Sequence, residues 1–214
     1  MGKTQTQAAL QRFVPHRQGE GALLSADIKM HVGADGKSIG VFSIDLKNAP
    51  TPDRKYVADL YDVVIAKADV RVLFAQSKVT GEGIRSLLVI HLSPAAIRRF
   101  LNAVDDQNDG RFEKMAERLS VDVQPPTKIQ EEPAGQTVAF SATAVMVAVQ
   151  DYDACLDFMK LSAFSLSNVL STKQAAVEPI VRTDIHIGML VGLLRALREA
   201  EKHFPKDRQE VGNG

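Results

Sequence analysis

The chain has one cysteine, no excess of either charge and no long apolar run, and each absence excludes a class of protein. Cys155 is the single cysteine in 214 residues, so an intrachain disulfide is excluded and a reducing, cytoplasmic setting is expected. Twenty-six basic residues balance 26 acidic ones, so no global field attracts nucleic acid or a membrane surface. The longest apolar stretches are interrupted by charge, so neither secretion nor a membrane span is expected.

The residue spacings of catalytic and metal sites are also missing. Five histidines are scattered singly, with none of the spacings of a zinc site, and no metal or cofactor is predicted. His91 and His186 each lie between aliphatic residues of a predicted strand. We interpret both as polar-face residues of their strands, with an acid/base pair as the alternative. The aspartates near Asp151 and Asp105 suit a strand turn and a helix end better than a calcium or catalytic site.

What the chain does contain is a unit that occurs twice. Residues 56–74 align without a gap over residues 140–158, and 84–100 align over 181–197. The two copies differ in the connection between these blocks. It is short in the first copy, from Ala75 to Gly83, and long in the second, where 159–179 is predicted to be a loop of the length expected for a functional segment. We interpret the match as an internal duplication, with convergent patterning as the alternative.

Local sequence patterns predict individual strands and helices. Alternating apolar residues from Leu24 to Val32 and from Ile39 to Leu46 predict a hairpin. Ser93 and Pro94 predict the start of a helix, with the serine as the cap and the proline in the first turn. Gly188 and Gly192 lie four apart near the start of the last helix and could permit close helix approach. The basic residues of the two long helices, among them Arg98, are expected to form solvated faces.

These signals predict an α+β fold of tandem antiparallel β-β-β-α repeats, packed as a pseudo-twofold two-layer structure of sheets and helices. The predicted organisation is a flexible arm over 1–22, a first repeat with an extra hairpin and a short second helix over 23–119, a linker over 120–136, a second repeat over 137–204 and a disordered tail over 205–214.

Parts of the sequence resemble two known protein families. The segments FSATAVMVAVQDYDACLDF and VEPIVRTDIHIGMLVGLLRALREAEKHF resemble a small family of uncharacterised bacterial domains, which implies a β-β-β-α unit. The segments VFSIDLKNAP, DLYDVVI, DVRVLF and RSLLVIHLSP resemble the strand series of the SecB export chaperone and its relatives, which implies a SecB-like fold and binding of extended polypeptides. The chain differs from that family in its second repeat and its balanced charge.

We therefore predict a non-catalytic protein-binding or assembly protein, not an enzyme, that acts through strand edges and the 159–179 loop. Its expected partner is another protein or further copies of itself, with no small-molecule substrate. A SecB-like chaperone or adaptor and a structural component of a larger particle, such as a virion, are the alternatives, and an enzyme or nucleic-acid binder is a third. The candidate partner-binding residues are Phe42, Ile44, Leu46, Phe164, Leu166, Val169 and Leu170.

Overall fold

A computed structural model of the chain describes residues 21–32, 38–45, 48–80, 83–129, 137–162 and 167–204. These residues form ten strands and four helices. In chain order they are β1 (Ala22–Val32), β2 (Ser38–Ile44), β3 (Lys55–Val57), β4 (Leu60–Ile65), β5 (Val70–Ser77), β6 (Ile84–Leu92), α1 (Pro94–Asn108), α2 (Arg111–Arg118), β7 (Val138–Ala142), β8 (Ala144–Gln150), β9 (Asp153–Leu161), α3 (Val169–Thr172), β10 (Gln174–His186) and α4 (Ile187–Glu201). The predicted α+β class is confirmed.

The chain divides into two compact units that do not follow the predicted repeats. The first unit is Met1–Lys55 with Asp157–Arg182, and the second is Tyr56–Leu156 with Thr183–Gly214. Both boundaries in the C-terminal half fall inside strands, because β9 and β10 each contribute residues to both units. The predicted linker over 120–136 is therefore not where the units separate. The predicted arm and tail lie outside the described residues, apart from the start of β1 at Ala22.

The first unit has the strand order β2-β1-β10-β9. The predicted hairpin is confirmed, since β1 and β2 pair antiparallel from Val32 opposite Ser38 to Ala26 opposite Ile44. In this unit the buried Asp157 accepts two hydrogen bonds from the Arg182 guanidinium, at 2.6 and 2.7 Å. A two-point ion pair of this kind satisfies the charges of both side chains.

The second unit contains a four-stranded sheet with the order β4-β5-β6-β7. The pairs β4–β5 and β5–β6 are antiparallel, and β6–β7 is parallel, so the expectation of wholly antiparallel sheets is wrong at β7. The apolar sequences of β5 and β6 give strands that are buried along most of their length. Their side chains form the core with those of α1 and α4, in keeping with the α+β class.

Helix α1 of the second unit begins where the sequence predicts. Ser93 Oγ accepts the backbone N–H of Ala96 and Pro94 stands in the first turn, which confirms the predicted start of α1. This helix runs past Val104 to Asn108 and ends at Asp109, which takes the left-handed conformation. Helix α4 is buried over its first half, because every residue from Ile187 to Leu194 is apolar or glycine.

The structure differs from the prediction in two respects. The predicted units have three strands each, whereas four strands precede each long helix in the aligned regions, because the chain is interrupted at 58–59 and at Thr143. The long loop predicted over 159–179 is wrong: β9 continues to Leu161, α3 occupies Val169–Thr172 and β10 begins at Gln174. Pairing of Ala22–Ser25 of β1 with Gln174–Val177 extends β10 into that region, because backbone groups that find a ladder partner are more stable in a strand than in a loop.

Candidate functional site

Residues 121–129 form an extended segment of the second unit, here called the strap, that lies against α4 and β4. Gly188 and Gly192 allow this contact, because a Cβ atom on either would overlap the backbone oxygen of Asp122 or Gln124. On the other side, the Thr127 N–H donates to the Tyr61 carbonyl of β4 at 2.8 Å. The two glycines therefore admit an extended segment, where the sequence suggested a second helix.

Gln124 fixes the strap through four hydrogen bonds. Its backbone N–H donates to the Gly188 carbonyl at 3.2 Å, and its carbonyl accepts from the Tyr61 hydroxyl at 2.9 Å. Its side chain donates to the Asp59 carbonyl and contacts His186 Nε2, both at 2.7 Å. Burial raises the pKa of Tyr61 to about 12, a shift that the Arg195 charge opposes and the Asp62 charge increases, so this phenol stays protonated as a donor. The strap is thus tied to three separate elements at one residue.

His186 ends β10 and caps α4 with its side chain. Its Nδ1 accepts the backbone N–H of Met189 at 3.2 Å, which requires an unprotonated Nδ1 and leaves the proton on Nε2 for donation to Gln124. Burial lowers the pKa of His186, and the charge of Asp59 acts in the opposite direction. The neutral ring is therefore the form that fits this position.

A cavity of about 700 Å³ opens beside His186 in the second unit, and we call it the edge cavity. It is bounded by β3, β8, β9 and the end of β10. Its lining comprises Val57, Ala58, Ala148, Val149, Gln150, Asp153, Ala154, Cys155, Asp184, Ile185 and His186. A volume of this size is in the range of ligand-binding cavities in proteins.

His186 and Cys155, two of the polar residues that line the edge cavity, are not arranged as an acid/base pair. Both ring nitrogens of His186 are hydrogen-bonded, so in this arrangement the ring cannot take a proton from Cys155. Cys155 is half-buried. No three metal-ligating side chains cluster anywhere in the described ranges. The cavity offers shape and apolar surface more than acid/base chemistry.

Strand β8 borders the edge cavity and is the last strand in its sheet order. Its sequence, AVMVAVQ, has no charged residue and no proline. The side chains from Ala144 to Val147 are all partly exposed, and Ala148 is exposed. Natural edge strands are usually protected by charge, proline or a bulge, and β8 has neither charge nor proline. Edge strand β4, by contrast, is covered by the strap.

A second cavity of the same unit, about 520 Å³, lies between β4, the strap and α4. We call it the strap groove. Val63 and Ile65 form one side, Pro125 and Pro126 another, and Ala196 the third. The groove is apolar because β4 contributes β-branched residues, the strap contributes prolines and α4 contributes small residues.

The predicted partner-binding residues are only partly described. Leu46, Phe164 and Leu166 lie outside the described residues, and Phe42 is placed only as a β2 position opposite Ile28.

The remaining three residues are divided between surface and core. Leu170 is 64% exposed, whereas Val169 is fully buried beside Ala26 and Ala175, with Ile44 partly buried against them. A buried side chain cannot touch a partner unless α3 moves, so Leu170 is the described residue that suits the predicted role.

The other singled-out residues have structural partners. His91 Nδ1 lies 2.7 Å from Asp69 in the second unit. Gly83 has φ +122 in the β5–β6 connection, and Asp151 has φ +53 between β8 and β9, as the turn predictions required.

The prediction that the basic residues of the two long helices form solvated faces is partly wrong. Arg98 pairs with Glu201 at 3.0 Å and Arg198 pairs with Asp105 at 2.6 Å, which joins α1 to α4. The expectation failed because a helical wheel shows which residues share a face but not what packs against it.

No known protein family, curated protein or solved structure matches the chain. Among the described residues, no helix combines the length and the apolar content that crossing a membrane requires.

Proposed function

We propose that the protein is a non-catalytic binding protein that takes an extended polypeptide segment as an added strand along β8. The observation that carries this proposal is the combination of an uncharged, proline-free edge strand with the apolar edge cavity beside it. Main-chain hydrogen bonds along an open edge supply affinity, and pockets next to it select side chains. Apolar side chains of the added segment would enter the cavity near Val57, which is 60% exposed.

A SecB-like role is the broader form of the same proposal. In that form the chain binds unfolded polypeptides of many sequences, and edge strand β2, which is also uncharged, contributes. We keep the cytoplasmic location with it, because the half-buried thiol of Cys155 suits a reducing compartment.

We further propose that the fold arose by duplication of a β-β-β-α unit. In support, each half contains an interrupted first strand (β3 with β4, or β7 with β8), two further strands and a long helix, and the second half adds α3 between β9 and β10. In the second unit the halves also exchange strands: β7 pairs with β6, and Ala58, just after β3, donates to Asp184 of β10. Reciprocal pairing of this kind is what a pseudo-twofold arrangement requires.

The binding proposal is tested with a fluorescent peptide of alternating valine and threonine and with Ala148→Lys in β8. We expect the peptide to bind the unchanged protein, and the lysine to weaken binding at least roughly tenfold, about 1.4 kcal/mol. The matched control is Ala139→Lys, since Ala139 is also an exposed alanine of an edge strand, β7, and should leave binding unchanged. Fluorescence anisotropy measures both.

The alternatives give different results in the same assay. A peptide built of consecutive prolines should not bind, because neither of its edges has an N–H to donate to β8. Equal binding of both peptides, equal effects of both lysines, or no binding at all would contradict strand addition. A concentration-dependent dimer blocked by Ala148→Lys would show instead that a second copy of the chain occupies the edge.

A further inference from the structure

The strap groove is separate from β8 and has a charge pattern of its own. Arg195 and Glu199 are the two charged residues in its lining. Glu199 Oε1 lies 2.6 Å from Lys202 Nζ, so this carboxylate has a partner other than Arg195. Arg195 is exposed and forms no hydrogen bond or ion pair with any described residue. The groove therefore offers a guanidinium without a carboxylate partner among those residues, beside an apolar surface.

The walls of the groove are fixed before any ligand arrives. Pro125 and Pro126 follow Gln124, whose hydrogen bonds to Tyr61 and Gly188 hold the strap in place. The Tyr61 hydroxyl is used in that contact and is not available to a ligand. A preformed apolar site loses less conformational entropy on binding than one that must order itself.

From these observations we propose that the strap groove binds a small monocarboxylate with an apolar tail. The carboxylate pairs with Arg195, and the tail lies against Val63, Ile65 and the two prolines. A volume of about 520 Å³ suits a small-molecule ligand. Arginine suits this role because its planar guanidinium matches a carboxylate at two points. The inference does not depend on strand addition at β8.

The test uses the full chain and dodecanoate, below the concentration at which it forms micelles, in isothermal titration calorimetry. We expect saturable binding with one site, weaker binding of dodecanol, and weakest binding of dodecyltrimethylammonium, whose charge repels Arg195. Arg195→Gln should lower dodecanoate affinity roughly fivefold, the upper range for an exposed ion pair, and leave dodecanol affinity unchanged. Arg111→Gln removes an exposed arginine outside the groove and should change neither.

A second variant tests the apolar half of the site. Ala196→Phe fills the groove and should weaken dodecanoate and dodecanol alike, at least tenfold, with circular dichroism confirming that the helices persist. Three outcomes overturn the proposal: no saturable binding of dodecanoate, equal affinities for the anionic and cationic amphiphiles, or unchanged dodecanoate binding by both groove variants. Peptide binding at β8 is measured separately, so failure here leaves that proposal intact.

Discussion

At the scale of single residues, His186 makes two contacts that together require a neutral ring. Nδ1 must be unprotonated to accept from Met189, and Nε2 must carry the proton that it shares with Gln124. Protonation at Nδ1 would break the cap of α4 and place a positive charge at the helix N-terminus, where the helix dipole is also positive. Local sequence could not show this, because Gln124 is 62 positions away.

We predict that the free energy of unfolding decreases as the pH is lowered, because of His186. Its folded-state pKa is lowered from the ordinary value of 6.5, so the unfolded chain binds the proton more readily. The stabilisation is complete above about pH 6.5 and is lost as the pH falls through the folded-state pKa, with a slope of at most about 1.4 kcal/mol per pH unit for one proton. Urea unfolding between pH 8 and pH 5 measures it.

The control is His186→Asn, because asparagine also caps helices but does not titrate in this range. The two proteins share every other residue, so the difference between the two stability curves isolates His186. The unchanged protein should lose stability relative to the variant as the pH drops below 6.5. Parallel curves would mean that the ring tolerates its proton here.

At the scale of elements, the contact of the strap with α4 depends on two missing side chains. Alanine normally stabilises a helix by about 1 kcal/mol relative to glycine. At Gly192, however, a Cβ atom would overlap the Gln124 carbonyl and lie 2.6 Å from the Tyr61 hydroxyl. The backbone cannot yield as a flexible side chain could, so the usual preference should reverse.

We predict that Gly192→Ala destabilises the protein by about 2 kcal/mol or more, in the range of overpacked cores. Urea unfolding at pH 8 measures the change. Asn102→Ala, at an exposed position of α1, is the control and should stabilise by about half a kcal/mol from helix propensity. A Gly192→Ala variant as stable as the unchanged protein would show that the strap can move away without loss.

The elements that local sequence encodes were predicted, and those that distant pairing decides were not. Ser93 and Pro94 identify the start of α1 because a cap acts within one turn. The breaks at 58–59 and Thr143 have no comparable signal, since each arises where the chain leaves one sheet for another. The strap shows the same limit: the sequence predicts a linker over 120–136, but nothing local indicates that part of it packs against Gly188 and Gly192.

At the scale of the whole molecule, the cavities were beyond sequence reasoning for a related reason. The edge cavity combines β3, β8, β9 and β10, and the strap groove combines β4, the strap and α4. The predicted binding residues were chosen from apolar runs, which do not distinguish exposed Leu170 from buried Val169. Only the arrangement of the strands shows that β8 is the last strand in its sheet order.

Because strands from the two halves of the chain pair with each other, we expect two fragments of the chain to reassemble. A break within 130–136 places β3 and β7 on different fragments and leaves every residue of the β6–β7 pairing present. We predict that fragments 1–132 and 133–214, produced together, copurify as a one-to-one complex with native circular dichroism. Each fragment alone should be poorly folded, because each lacks a strand that its own sheet needs.

Two aspartate substitutions in β7 test whether this strand joins the fragments. Ala142 is 3% exposed and pairs with Leu92, whereas Ala139 is exposed and pairs with Val89. A buried unpaired carboxylate is costly, so Ala142→Asp should abolish copurification and Ala139→Asp should not. Fragments that fold separately and elute apart would contradict exchange and show that the two halves of the chain fold independently. Association that survives Ala142→Asp would place the joining surface elsewhere, on the paired helices α1 and α4, where Arg98 meets Glu201.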